Sequence, residues 1–110
     1  MNCASLMTPP GTAGIAVVDL LGRGVGRMLT PLFDKPLPAI GRLKRGRMID
    51  DSGPIDDVLI AHLADLHWRL SCHGGGRTVQ RVLRALSASD IEIVSLILIW
   101  FNYLVKNIVF

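Results

Sequence analysis

The sequence predicts an α+β fold, a mixed or antiparallel sheet packed against two or three helices. Short β-branched runs bounded by Gly, Pro or Asp mark strands at 14–20, 41–50 and 55–61. Two other stretches switch to helical spacing: Val25, Met28, Leu29 and Leu32, then Val79, Val82, Leu83 and Leu86. The order strand, strand, helix, hairpin, strand, helix is that of a sheet carrying helices. With 110 residues the chain has room for one core and buries roughly two-thirds of its unfolded surface. That length excludes a two-domain enzyme with its own nucleotide-binding half. Apolar residues at 50% and charged residues at 19% exclude a disordered tail.

Taken in order, residues 2–7 are small and mixed and read as a short strand. Thr8-Pro9-Pro10-Gly11-Thr12 breaks it, because two prolines remove two backbone donors and Gly11 permits a sharp turn. A buried strand over 14–20 follows. The helix stripe lies within 22–33, and Pro31 and Pro36-Leu37-Pro38 predict an early stop. Residues 41–50 hold four of the twelve basic side chains in partial alternation, an exposed strand guarded by charge. A turn over 50–54 and a strand over 55–61 complete a hairpin. A further strand covers 67–71, His73-Gly74-Gly75-Gly76 breaks the chain, and a second helix ends near Ser87–Asp90.

The last segment differs in kind. From Ile93 to Val105 thirteen residues are nearly all apolar, short of the roughly 20 that a spanning helix needs. A buried helix or strand fits that length best, with an interfacial helix or membrane contact through 91–110 as the alternative. The boundary falls after residue 87, giving a folded unit over 1–87 and an apolar tail over 88–110. The net charge of +3 permits an anionic partner and demands none. Two cysteines make no disulfide framework, and Met1–Ser5 lacks the basic start of a signal peptide, so the expected compartment is cytoplasmic.

Candidate chemistry is sparse. His73-Gly74-Gly75-Gly76 stands between a strand and a helix, where glycines let a backbone approach a ligand and a helix start offers N–H groups. The Lys of a phosphate-binding loop is missing, so a tight connection explains the glycines equally well. His62, His67, Cys72 and His73 match no zinc spacing, and Cys72 and His73 point to opposite faces of a strand. No spacing brings Cys72, Ser71 or Thr8 to His73 as base or to Asp50, Asp51, Asp56 or Asp57 as acids. Asp56-Asp57 could ligate a cation, though such a pair more often marks the exposed start of a strand. The basic run Arg42–Arg47 lacks the aromatics that stack single-stranded bases.

Three motifs together say more. Thr8-Pro9-Pro10-Gly11-Thr12-Ala13-Gly14-Ile15-Ala16-Val17-Val18 resembles the opening of the MnmE/TrmE family of tRNA-modification GTPases. Gly53-Pro54-Ile55-Asp56-Asp57-Val58-Leu59 resembles the family's "G-x-IDEVL" strand. Ser71-Cys72-His73-Gly74-Gly75 with Val79-Gln80-Arg81-Val82-Leu83 resembles its "SCHGG…VQRIL" stretch. The resemblance covers residues 3–87. It implies the family's N-terminal domain, an aminomethyltransferase-like α+β unit that dimerises and binds 5-formyltetrahydrofolate. It also implies a place in tRNA wobble-uridine modification, with an MnmG-like flavoprotein or tRNA as partner. The matched positions Thr8, Pro9, Pro10, Gly11, His73, Gly74 and Gly75 would form the folate site, and no catalytic or metal residue is implied.

The departures are specific. No GK[ST] loop and no C-terminal cysteine motif occur, so the resemblance implies no GTP site and no enzyme acting alone. Asp19 stands where the family carries Arg, and Arg69 where it carries an acidic residue. Residues 88–110 resemble nothing in the family. They read either as the accidental tail of a shortened gene product or as a segment replacing missing strands. The alternative function is a small membrane-associated or structural protein led by this tail, with a vestigial TrmE-like unit.

Overall fold

The computed structural model describes residues 2–9 and 14–104; in the last helix it describes the side chains up to Ile99 and that of Phe101. The strands are β1 (Cys3–Leu6), β2 (Ile15–Leu21), β3 (Leu43–Asp50), β4 (Gly53–Ala64), β5 (His67–His73) and β6 (Glu92–Ile93). The helices are α1 (Val25–Leu29), α2 (Gly76–Ala88) and α3 (Leu96–Leu104). One six-stranded sheet runs in the order β3-β4-β5-β2-β1-β6. Its neighbours are antiparallel except β1 and β6, which are parallel, so the fold is α+β with a mixed sheet.

Side-chain alternation divides the sheet into two faces. Ala16, Val18 and Leu20 of β2, Trp68, Leu70 and Cys72 of β5, and Val58 and Ile60 of β4 share the first face and are buried. Val25 and Leu29 of α1 and Val79, Val82 and Leu86 of α2 join them in the main core. The helical stripes read from spacing are therefore real. In α2 Ala85 is buried, whereas Leu83 is half-buried.

The first helix is shorter than 22–33. Pro31 has no N–H to bond the carbonyl one turn back. The chain leaves the α-helix at Leu29 and tightens into a 3-10 turn over Thr30–Leu32, which still buries Leu32. The hairpin turn shrinks to Asp51 and Ser52, with Asp50 facing Gly53, and Gly53-Pro54 already belong to β4. Gly46 is required where it stands. A side chain there would lie 2.5 Å from the Phe33 ring, which packs over this point of β3.

The end of α2 has a specific geometry. The N–H of Ile91 bonds the Leu86 carbonyl at 3.1 Å, and the N–H of Asp90 bonds that of Ser87 at 3.3 Å. This is the Schellman pattern, with Asp90 left-handed at φ 65° and Ile91 buried beneath. Glycine meets no Cβ penalty in that conformation. Asp90→Gly is expected to raise stability by about 0.5–1 kcal/mol. A urea midpoint shifted upward at constant slope would show it, and an unchanged or lower midpoint would refute it.

The second face carries Ile15, Val17, Asp19 and Leu21 of β2, and the tail meets it only at one end. After the Asp90 turn, β6 adds to the sheet through Glu92 N–H to the Asn2 carbonyl and Val94 N–H to that of Ala4. α3 then lies over β1 and β2, where Ile99 packs on Cys3 and Leu21. The tail is thus neither one strand nor one buried helix. Ile97 is 82% exposed, and Leu96, Leu98 and Phe101 are also open. Among the described residues no helix is long and apolar enough to cross a membrane.

Candidate functional site

Antiparallel pairing brings two of the sequence motifs to one end of the sheet. Ile15, at the start of β2, pairs with His73, at the end of β5. The N–H of Gly74 bonds the Gly14 carbonyl at 3.1 Å. Gly14-Ile15 and His73-Gly74 are therefore adjacent. Thr8 is already engaged, since its hydroxyl accepts the Val17 N–H at 3.2 Å and closes the end of β1. Pro9 is exposed. Pro10 and Gly11 lie outside the described residues. Gly74 is buried and Gly75 exposed, and Gly75 caps α2 without any side-chain bond. The first turn of α2 carries no acid, and Arg77 follows the glycines.

His73 is the best-defined member. Its Nδ1 lies 2.8 and 3.0 Å from the two Asp56 carboxylate oxygens, and its backbone N–H donates to Asp56 Oδ2 at 2.8 Å. A carboxylate only accepts, so Nδ1 carries the proton. The Asp56 side chain is 14% exposed and the His73 side chain 70%. Asp56 is thus not the exposed start of a strand. The link was missed because the partners lie 17 positions apart, and only the β4–β5 register, with its two-residue turn at Asp65-Leu66, brings them together.

Beside His73 the second face opens into a groove of about 330 Å³. Ile15 and Leu59 give it an apolar floor, and Ser71, Arg45 and Asp57 give it polar edges. Cys72 also borders it but belongs to the core face. Burial, and secondarily the Asp56 charge, push its thiol up to about 11. It is a thiol at neutral pH and no nucleophile. The histidines disperse: His62 stacks on Trp68 at 3.6 Å, His67 turns to Asp19, and His73 to Asp56. No group of three metal-ligating side chains forms among the described residues.

A second cluster lies further along the same face. Asp19, 5% exposed, sits directly across from Arg69. Arg69 Nε donates to Oδ1 at 2.6 Å and its terminal nitrogen to Oδ2 at 3.1 Å. His67 Nε2–H donates to Oδ2 at 3.0 Å. Burial pushes the Asp19 carboxyl up, but the hydrogen bonds from His67 and Arg69 outweigh it, and the net position is below the ordinary 3.8. The two departures from the family pattern, Asp19 and Arg69, are thus facing residues in one bidentate ion pair.

The chain matches tRNA modification GTPase MnmE from several bacteria. It is 30% identical to that of Roseiflexus sp. over 97 residues, 78% of this chain and 21% of the relative. It is 37% identical to that of Paramagnetospirillum magneticum over 93 residues, 74% and 20%. It is 31% identical to that of Chloroflexus aurantiacus, 78% and 22%. This chain is a divergent MnmE-family sequence. It spans about a fifth of the length of these relatives. No protein-family model matches it.

Proposed function

We propose that this MnmE-like chain is a folate-binding and dimerisation module of tRNA wobble-uridine modification in the cytoplasm. The observation that supports the reading is the pairing of Ile15 with His73, and of the Gly74 N–H with the Gly14 carbonyl, at the end of the sheet that carries the groove. The residues present suit 5-formyltetrahydrofolate. Ile15 and Leu59 offer a flat apolar floor to a pterin ring, and His73 and Ser71 offer polar contacts at its edge. Arg45, Arg77 and the uncapped start of α2 favour the anionic end of such a ligand.

Dimerisation is supported by the uncovered half of the second face. Leu43 is exposed there beyond the groove, away from α3, and a second copy on it would close over the groove that Ile15 and Leu59 floor. A sheet face of this kind is ordinarily covered by a second layer. The same face carries Arg45 and Arg47 beside Asp57, so a second copy related by a two-fold axis would meet both signs of charge. An MnmG-like flavoprotein and tRNA are the partners that this reading adds.

Calorimetric titration with 5-formyltetrahydrofolate, on protein weighed by light scattering, tests both parts. Saturable binding by a dimer, weakened at least tenfold by His73→Ala, is expected. No heat from folded protein would overturn the folate part, and a monomer at tens of micromolar would overturn the dimer. Both failing together would favour the reading led by the tail, in which Ile97 and Phe101 on the outer side of α3 meet a membrane surface.

A further inference from the structure

We propose that Asp56 is a positioning residue that presets His73 to offer Nε2, as a hydrogen-bond acceptor, to an N–H or O–H group of a ligand in the neighbouring groove. The inference rests on the groove being the ligand site, and it adds the chemistry by which that site reads its ligand.

The geometry is over-determined for a surface histidine. One largely buried carboxylate holds both the backbone N–H and the ring Nδ1 of the same residue. The two bonds fix the imidazole against rotation about its side-chain torsions. The bond at Nδ1 fixes the tautomer, because the proton stays between Nδ1 and the carboxylate. A neutral ring held in this way has its lone pair on Nε2. Nε2 makes no hydrogen bond among the described residues, and the ring borders the groove floored by Ile15 and Leu59. Merely lacing β4 to β5 would need only the backbone bond. The bond to the ring restricts an otherwise exposed side chain, a cost in rotamer entropy that a preorganised contact recovers on binding. The ligand class is a flat heteroaromatic with a hydrogen-bond donor on its edge.

The other two histidines supply opposite internal standards. His67 donates through Nε2 to Asp19, and His62 donates through Nδ1 to the Pro38 carbonyl. Long-range ¹H–¹⁵N correlation of the imidazole rings in the intact chain, above the pH of histidine titration, reads all three. The expected wild-type result is His73 as the Nδ1–H form, matching His62 and opposite to His67. In Asp56→Ala, His73 is expected to move to the Nε2–H form favoured by free histidine, with His62 and His67 unchanged as proof of fold. Asp56→Ala is also expected to weaken 5-formyltetrahydrofolate about tenfold, the worth of one neutral hydrogen bond.

A wild-type His73 in the Nε2–H form overturns the proposal without any variant. So does a folded Asp56→Ala that binds the ligand as tightly as wild type. Should wild type bind no folate, the folate reading falls, and the tautomer alone upholds or overturns the positioning by Asp56.

Discussion

Arg69→Ala is expected to cost about 2 kcal/mol of stability, and Asp19→Arg more. Asp19 is buried and fully engaged by Arg69 and His67, so removing Arg69 leaves a desolvated carboxylate with one partner. Breaking a wholly buried pair costs about 3–5 kcal/mol. The Arg69 side chain is 44% exposed, so solvent screens part of the interaction and the lower figure applies. The informative variant is the exchange, Asp19→Arg with Arg69→Asp. Facing positions that compensate in charge predict a double mutant more stable than the sum of the singles by about 1–3 kcal/mol. Urea unfolding of the four proteins measures that difference. Strict additivity would mean that the two side chains are not coupled in the folded protein.

The same carboxylate sets a pH dependence. Its folded pKa lies below its ordinary value of 3.8. Its contribution is therefore complete above that value and is lost as the pH falls through the folded pKa. Between pH 7 and pH 3 the wild type is expected to lose more stability than Asp19→Asn. Parallel losses would refute the assignment.

Ile99→Asp is expected to release α3 and leave the rest of the sheet standing. Ile99 is 3% exposed and is the only buried side chain described on α3. A charge placed against Cys3 and Leu21 is taken out of water, and losing the contact costs about 2–4 kcal/mol locally. Cys3, fully buried beneath the tail, is expected to react with maleimide at least tenfold faster in the variant. Cys72, on the opposite face under the main core, is expected to stay protected. Unchanged labelling of Cys3 would show that α3 does not seal this end of the sheet.

The residues that local physics governs were legible in the sequence. Strand and helix type follow from spacing, so the stripes Val25–Leu29 and Val79–Leu86, the hairpin around Asp51-Ser52 and the alternation of Cys72 and His73 could be read directly. The three family motifs could be read for the same reason, since each is a contiguous run. Pairing between distant strands could not. Asp56 and His73 are 17 positions apart, and Asp19 and Arg69 are 50 apart. In the sequence Asp56 stands beside Asp57 and His73 within a glycine run, and Asp19 and Arg69 read as two separate departures from the family pattern. Only register turned the first pair into a held histidine and the second into one ion pair. The tail shows the same division. Its composition determined that 91–104 would seek apolar contact. The left-handed turn at Asp90 and the free edge of β1 decided that it would add a short parallel strand and then cross to the second face. Burial is set by which faces the assembled sheet leaves open, and that is a property of the tertiary structure.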